Sequence, residues 1–348
     1  MSDDAIMMRG VRKTFGKKVA VEGMDLVVPR GSLIGLIGPN GAGKTTSIRM
    51  VMSILFPDSG GLSVLGKRSA VESKDRIGYL PEERGVYRKM KVGAFLRHMA
   101  RLKGMETAGI GRKVSDWLEK VGLGDTAKKK CEELSKGMQQ KVQFIASVIH
   151  EPELLILDEP FSGLDPVNMR LLRDLISEQH DRGATVVFST HVMSQAEQVC
   201  EKIAMIHNGA KVLDGTLSEI KAQAETRAVL FEPVDPRDLS PVDAVSGYGE
   251  VEGVQKTERG FEVDLREGTD PVGVMRRIAA EQPVARVELK RPTLEDIFIG
   301  IVAGIRMRTR SGCGRSCGPV PWAKKWTRMK LQRGWRDEPR ESRTDCWS

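Results

Sequence analysis

Two short stretches hold the residue types that phosphate chemistry needs. Gly38, Pro39, Asn40, Gly41, Ala42, Gly43, Lys44, Thr45 and Thr46 read GPNGAGKTT, the spacing of a phosphate-binding loop set between a strand and a helix. Glycines let the backbone fold tightly and aim its N–H groups at phosphate oxygens, and the start of the following helix adds a favourable dipole. Lys44 would neutralise the β and γ phosphates, and the Thr45 hydroxyl would ligate magnesium. The second stretch, LLILDEP from Leu154 to Pro160, ends an apolar run in two carboxylates. Asp158 would hold the magnesium through water, and Glu159 would orient and polarise an attacking water as a general base.

Such groups work only if strands deliver them to one edge of a sheet. The glycine loop follows the apolar run LIGLI and precedes the helical run SIRMVMSIL. LLIL reads as a buried strand whose C-terminal end would place both carboxylates beside the loop. The first 215 or so residues alternate apolar runs with amphipathic helical stretches, the pattern of an α/β sheet with helices on its faces. Expected strands include Ile6 to Val11, Met24 to Val28, Leu33 to Ile37, Leu154 to Leu157, Thr185 to Ser189 and Ile203 to His207. From Val92 to Lys130 the spacing is helical only, which predicts a helical insert. After Asp214, β-rich segments at Ala228 to Phe231, Gly253 to Thr257 and Phe261 to Leu265 surround polar turns, with helical stretches at Val272 to Ala280 and in TLEDIFIGIV. The expected organisation is a nucleotide-binding α/β domain over 1–222 with the insert at about 88–150, a small α+β domain over 223–304 and a tail over 305–348.

Three further stretches extend the first two into a family resemblance. LSKGMQQK runs from Leu134 to Lys141, SGLD from Ser162 to Asp165, and His191 follows TVVFST. In this order with the phosphate loop and LLILDEP, they resemble the ATP-binding cassette (ABC) ATPases over about residues 5–220. The resemblance implies an ATPase using ATP and Mg2+ and working as a nucleotide-sandwich dimer. Ser135, Gly137 and Gln139 would bind, in trans, the γ phosphate of nucleotide held by a second copy of the chain or a homologous ATPase. Lys136 and Met138 depart from the family's LSGGQ pattern. A helix start with a serine is a good anion site, and taken alone it is also an ordinary helix cap. The resemblance makes Asp165 the D-loop residue at the dimer interface and His191 the switch histidine that contacts the γ phosphate. Phe15, 29 positions before Lys44, would stack on adenine. In IGYLPEERGVY, Glu82 stands where most members have a glutamine that touches magnesium and water, and Glu83 is a neighbouring candidate. A carboxylate can ligate magnesium but adds negative charge near the phosphates.

The domain order, together with IGYLPEERG and LEDIF, is similar to the bacterial sodium-efflux (NatA-like) exporter-type ATPases. That resemblance implies a separate multispanning membrane permease as partner, because no run here approaches the ~18 to 20 apolar residues of a span. With no signal-peptide pattern at the start, the expected location is cytoplasmic, peripheral on the inner face of the cell membrane.

The net charge of +8 does not mark the body of the chain. The 44 residues from Ile305 hold twelve basic and four acidic side chains, and this +8 leaves the rest balanced. Nucleic acid is therefore not an expected partner of the body. The tail also holds four of the five tryptophans and three of the five cysteines, and it lacks periodicity. It reads as a disordered or partner-binding arm, a composition that also suits a membrane surface or nucleic acid. A shifted reading frame is a further reading, which resequencing decides. The cysteines show neither CxxC spacing nor a disulfide framework. The alternative function is a soluble ABC ATPase of translation or DNA repair. Against it stand a single phosphate loop and only 91 positions between Lys44 and Ser135, too few for a long coiled coil.

Overall fold

The structure, a computed structural model, describes residues 4–83, 85–224, 228–258 and 260–302. The chain divides into two compact units, with the boundary between Ile220 and Lys221. The basic tail, and every expectation placed on it, lies outside the described residues.

The first unit opens with two twelve-residue strands, β1 (Asp4–Phe15) and β2 (Lys18–Pro29), joined through Gly16 and Lys17. A connection that short allows only an antiparallel hairpin, so these strands cannot enter a parallel sheet. Strand β3 (Leu33–Ile37) is buried along its whole length and runs through the glycine loop into α1 (Lys44–Val51). Strand β4 (Ser59–Val64) then pairs antiparallel with β1, giving a three-stranded sheet in the order β2-β1-β4.

The remaining elements are β5 (Ile77–Leu80), the helices α2 (Val92–Leu102), α3 (Ile110–Lys120) and α4 (Lys136–Val148), β6 (Leu154–Asp158), α5 (Pro166–Asp181) and β7 (Thr185–Thr190). They are followed by α6 (Met193–Val199), β8 (Lys202–His207), β9 (Ala210–Thr216) and α7 (Leu217–Gln223). A six-stranded sheet runs β5-β6-β7-β3-β8-β9, parallel except for β9. Because β7 lies between β6 and β3, its register sets Ser189 beside Asp158 and Thr190 beside Ile37. The chemistry-bearing ends thus meet at one edge, outside the carboxyl ends of the strands.

One apolar cluster joins both sheets to α1, with Met8, Met24 and Val28 packing with Ile34, Leu36, Ile156, Ile48 and Met50. Each such side chain stabilises the fold by about 1.5–3 kcal/mol when fully buried. That packing anchors the helix on which the glycine loop opens.

The second unit contains β10 (Ala228–Pro233), α8 (Ser240–Ser246), β11 (Val251–Lys256), β12 (Phe261–Leu265), α9 (Pro271–Glu281), β13 (Val284–Leu289) and α10 (Leu294–Val302). Its sheet is antiparallel in the order β11-β12-β10-β13. Phe231 and Phe261 stack at 5.6 Å over a core with Val229, Val263, Val274 and Ile278. The fold is a mixed α/β sheet domain with helices followed by a small α+β domain.

A separate antiparallel sheet stands beside the parallel one within the expected α/β domain. The hairpin Phe15 to Lys18 accounts for it, since it turns β2 back on β1 instead of sending it across the parallel sheet.

Candidate active site

Gly43 takes φ +111°, and a Cβ there would sit 2.6 Å from the Ala20 carbonyl oxygen, so only glycine lets the loop pass β2 and start α1. Lys44 is 5% exposed. Its ammonium donates to the Gly38 carbonyl at 2.8 Å and the Pro39 carbonyl at 3.3 Å, and lies 3.5 Å from Glu159 Oε1. Ala42 is buried, its N–H bonded to the Pro39 carbonyl, which closes the loop on itself.

Asp158 ends β6 fully buried. Its Oδ1 accepts hydrogen bonds from Thr45 Oγ1 at 3.3 Å and Ser189 Oγ at 2.5 Å, while its Oδ2 has no partner. Burial pushes its pKa up, working against the hydrogen bonds from Ser189 and Thr45. An orphaned carboxylate oxygen beside a threonine hydroxyl is an all-oxygen donor set of the kind Mg2+ takes, so these residues fit that cation.

Glu159 follows at φ +49°, an uncommon conformation for a side chain of its size, and is 7% exposed. Such strain persists where the surroundings over-determine it. Here the Glu159 N–H donates to both the carbonyl and the hydroxyl of Ser189, at 3.2 and 3.1 Å. Its Oε1 lies 3.0 Å from His191 Nδ1 as well as near Lys44, and the His191 side chain is 42% exposed. A carboxylate aimed in this way can take a proton from a water, and the imidazole can hold it in place.

Lys44, Thr45 and Glu159 open onto a cavity of about 370 Å3, whereas Asp158, His191, Gly38, Pro39 and Ala42 are not among its lining residues. Of the residues expected from sequence, Phe15, Asn40, Gly41, Gly43, Lys44, Thr45, Thr46, Glu82 and Glu159 line it. Phe15, 49% exposed, stands at the hairpin tip with the Lys13 ammonium 5.7 Å from its ring. Asp58 steadies that tip through Lys13 and Thr14, and those hydrogen bonds hold its carboxyl well below the usual range. Of the two neighbouring acids after β5, Glu82 reaches the cavity wall, whereas the Glu83 carbonyl accepts from Gln143 Nε2 at 3.2 Å.

Ser135, Gly137, Gln139 and Asp165 do not line this cavity. Ser135 caps α4, its hydroxyl accepting from the Met138 N–H at 3.3 Å. Asp165 caps α5, accepting from the Val167 and Asn168 N–H groups at 3.0 and 2.9 Å, and these bonds lower its pKa. A Cβ on Gly137 would lie 3.4 Å from Asn168 Nδ2 and 3.8 Å from Leu164 Cδ2, so the two helix starts pack together. Gln139 Nε2 turns inward to the carbonyls of Cys131 and Leu134, both at 3.1 Å. It tethers the turn ahead of α4.

Sequence reasoning missed Ser189, Lys18, Gln140 and Gln143. Ser189 bridges Asp158 and Glu159, and a hydroxyl inside the strand TVVFST was its signal. Lys18 and Ala20 join the cavity wall. Gln140 donates to the Pro160 carbonyl at 3.1 Å, so Gln140 and Gln143 tie α4 to the chain beside both Glu159 and Glu82. Amides on the buried face of α4 were the available hint.

Known proteins share both units. The family described as ABC transporter matches residues 21–162, and the one described as ATP-binding protein DrrA1-3-like, C-terminal domain, matches residues 215–302. The chain is 41% identical over 297 residues to the uncharacterized ABC transporter ATP-binding protein YhaQ of Bacillus subtilis, covering 85% of this chain and 97% of that protein. It is 31% identical over 303 residues to the Nod factor export ATP-binding protein I of a Rhizobium species, covering 86% and 97%. A solved structure described as the ATP binding subunit of an ABC transporter superposes with a TM-score of 0.59 at 31% identity, covering 63% of this chain and 92% of that one. With a relative above 40% identity matched along almost its whole length, the chain belongs to the ABC transporter ATP-binding proteins, the ATP-hydrolysing subunits of those transporters.

Proposed function

We propose that this ATPase is the energy-coupling subunit of an export-type transporter, paired with a second copy or a homologous ATPase and docked on a separate multispanning permease at the cytoplasmic face of the membrane. The observation that carries the reading is the split between two sets of groups. Lys44, Glu159 and Thr45 share one cavity, whereas Ser135, Gly137 and Asp165 lie outside it on two adjacent helix starts. A helix N-terminus is an anion site, so a second nucleotide-loaded chain supplies what that surface lacks. Among the described residues no helix is long and apolar enough to cross a membrane, in keeping with a separate permease. Export is supported by the DrrA-like C-terminal domain and by the relative named for Nod factor export.

In the cavity Phe15 stacks on the adenine and the loop N–H groups cradle the phosphates. Lys44 exchanges the Gly38 and Pro39 carbonyls for phosphate oxygens. Glu159, held by His191, aligns a water with the γ phosphorus and takes its proton. As the water oxygen bonds to phosphorus, the bond to the β-phosphate oxygen breaks, releasing ADP and phosphate. Asp158 and Thr45 would hold Mg2+, which supplies positive charge against the phosphates. Glu82 is placed on the same wall to assist that cation.

Glu159→Gln should bind ATP, lose hydrolysis by about 1,000-fold and accumulate as an ATP-bound dimer, read by light scattering under saturating MgATP. A variant that stays monomeric overturns the shared-site mechanism. Copurification with a multispanning protein from detergent-solubilised membranes tests the permease.

A further inference from the structure

We propose that Lys18 is a nucleotide-binding residue whose ammonium contacts the phosphate chain and offsets the extra negative charge that Glu82 brings to the site; this rests on the reading of the cavity as the ATP site. Four charged side chains line the cavity, namely Lys18, Lys44, Glu82 and Glu159. Lys44 is already engaged by two loop carbonyls and Glu159. Lys18 is different, because among the described residues its ammonium has no hydrogen-bond or ion-pair partner. The cavity therefore offers one committed cation and one uncommitted one.

Register explains how Lys18 reaches the site. It is the first residue of β2 and lies directly opposite Phe15 across the two-residue turn. Directly opposed residues share a face of the hairpin, with Cβ atoms about 4.5–5.5 Å apart. Two residues further along β2, Ala20 packs its carbonyl against Gly43 of the phosphate loop. The hairpin face bearing Lys18 thus runs from the aromatic ring at one end to the loop at the other. An ammonium on a flexible four-carbon stem at that place meets phosphate oxygens, for which it is a strongly attractive point charge. The same wall carries Glu82, so without Lys18 the acids Glu159 and Glu82 would stand against Lys44 as the single side-chain cation among the described lining residues. Asp58, which fixes Lys13 and Thr14, keeps the turn in place without drawing on Lys18.

The test is equilibrium titration of the full chain with ATP, ADP and adenosine. For Lys18→Ala we expect affinity for ATP and ADP to fall about 10-fold, with adenosine unchanged and the phosphate-dependent loss shrinking as salt rises. Lys18→Arg should stay within about threefold of the parent. In a Glu82→Gln background the loss from Lys18→Ala should be smaller, because the charge it offsets is gone. Equal losses for adenosine and ATP would mean that Lys18 only supports the hairpin, and the proposal falls. It falls equally if ATP affinity is unchanged. A parent chain that binds none of the three ligands would overturn the ATP reading itself and Lys18 with it, whereas a binding parent with an indifferent Lys18→Ala overturns Lys18 alone.

Discussion

Lys44 and Glu159 are almost wholly buried, while Ser135 and Asp165 are exposed at the starts of α4 and α5. Both places hold groups suited to phosphate, yet they are built differently. In the cavity, charged groups are fixed by one another and by backbone, as Ser189 fixes Asp158 and Glu159 and the loop carbonyls fix Lys44. On the surface, the serine and the aspartate each satisfy only their own helix start. The first arrangement is organised for nucleotide without help. In the paired state proposed above, the second would be half of a contact.

Mutation can break this contrast most severely at Lys44. Lys44→Ala should weaken ATP binding at least about 100-fold in titrations, because the phosphates lose their neutralising charge and Glu159 stays buried beside them. Normal turnover would refute the loop assignment. The surface half should respond otherwise, since Ser135→Ala should leave ATP affinity intact, lower kcat by about 10- to 100-fold and cost about 1 kcal/mol of stability from the lost cap. Ser135→Asn, which keeps a cap, separates the two effects: restored melting temperature with kcat still low supports the role in trans. Glu82→Gln should hold or raise hydrolysis, within about threefold of the parent, and a complete loss would show that its charge is required.

The smallest effect on the site should come from His150, just beyond the far end of α4. Burial and the nearby Lys103 lower its pKa to about 4, and its Nε2 lies 3.2 Å from the Ile77 carbonyl oxygen. The unfolded chain therefore takes up the proton first, and stability falls as pH drops from about 6.5 toward 4, by on the order of 3 kcal/mol. His150→Gln should flatten that slope in urea melts while leaving ATP affinity unchanged at pH 7.5.

The sequence made the cavity legible because a glycine loop and a carboxylate pair need fixed spacings, and Phe15, Lys44, Thr45, Glu82 and Glu159 do line one space. Elements without such marks were harder to read. Strands β4, β9 and β13 are short segments lacking a strong apolar run, and their partners decide their state. IGYL is absent from the expected strands because its pairing with β6 comes from 77 positions downstream. Ser189 was hidden for a similar reason, its role arising only from its register beside Asp158. Lys18 looks like any turn lysine until the hairpin sets it opposite Phe15.

The amide tethers of α4 reach further than the positions they hold. Gln140 grips the chain beside Glu159 and Gln143 grips the chain beside Glu82, while the same helix begins at Ser135. In the paired state proposed above, one rod would brace the segments behind its own chain's site along its side and meet the neighbour's nucleotide at its tip. Displacing one of these ends drags the other. Two such rods crossed between two chains would form a closed loop of four contacts, through which the occupancy of one chamber would set the fit of the other.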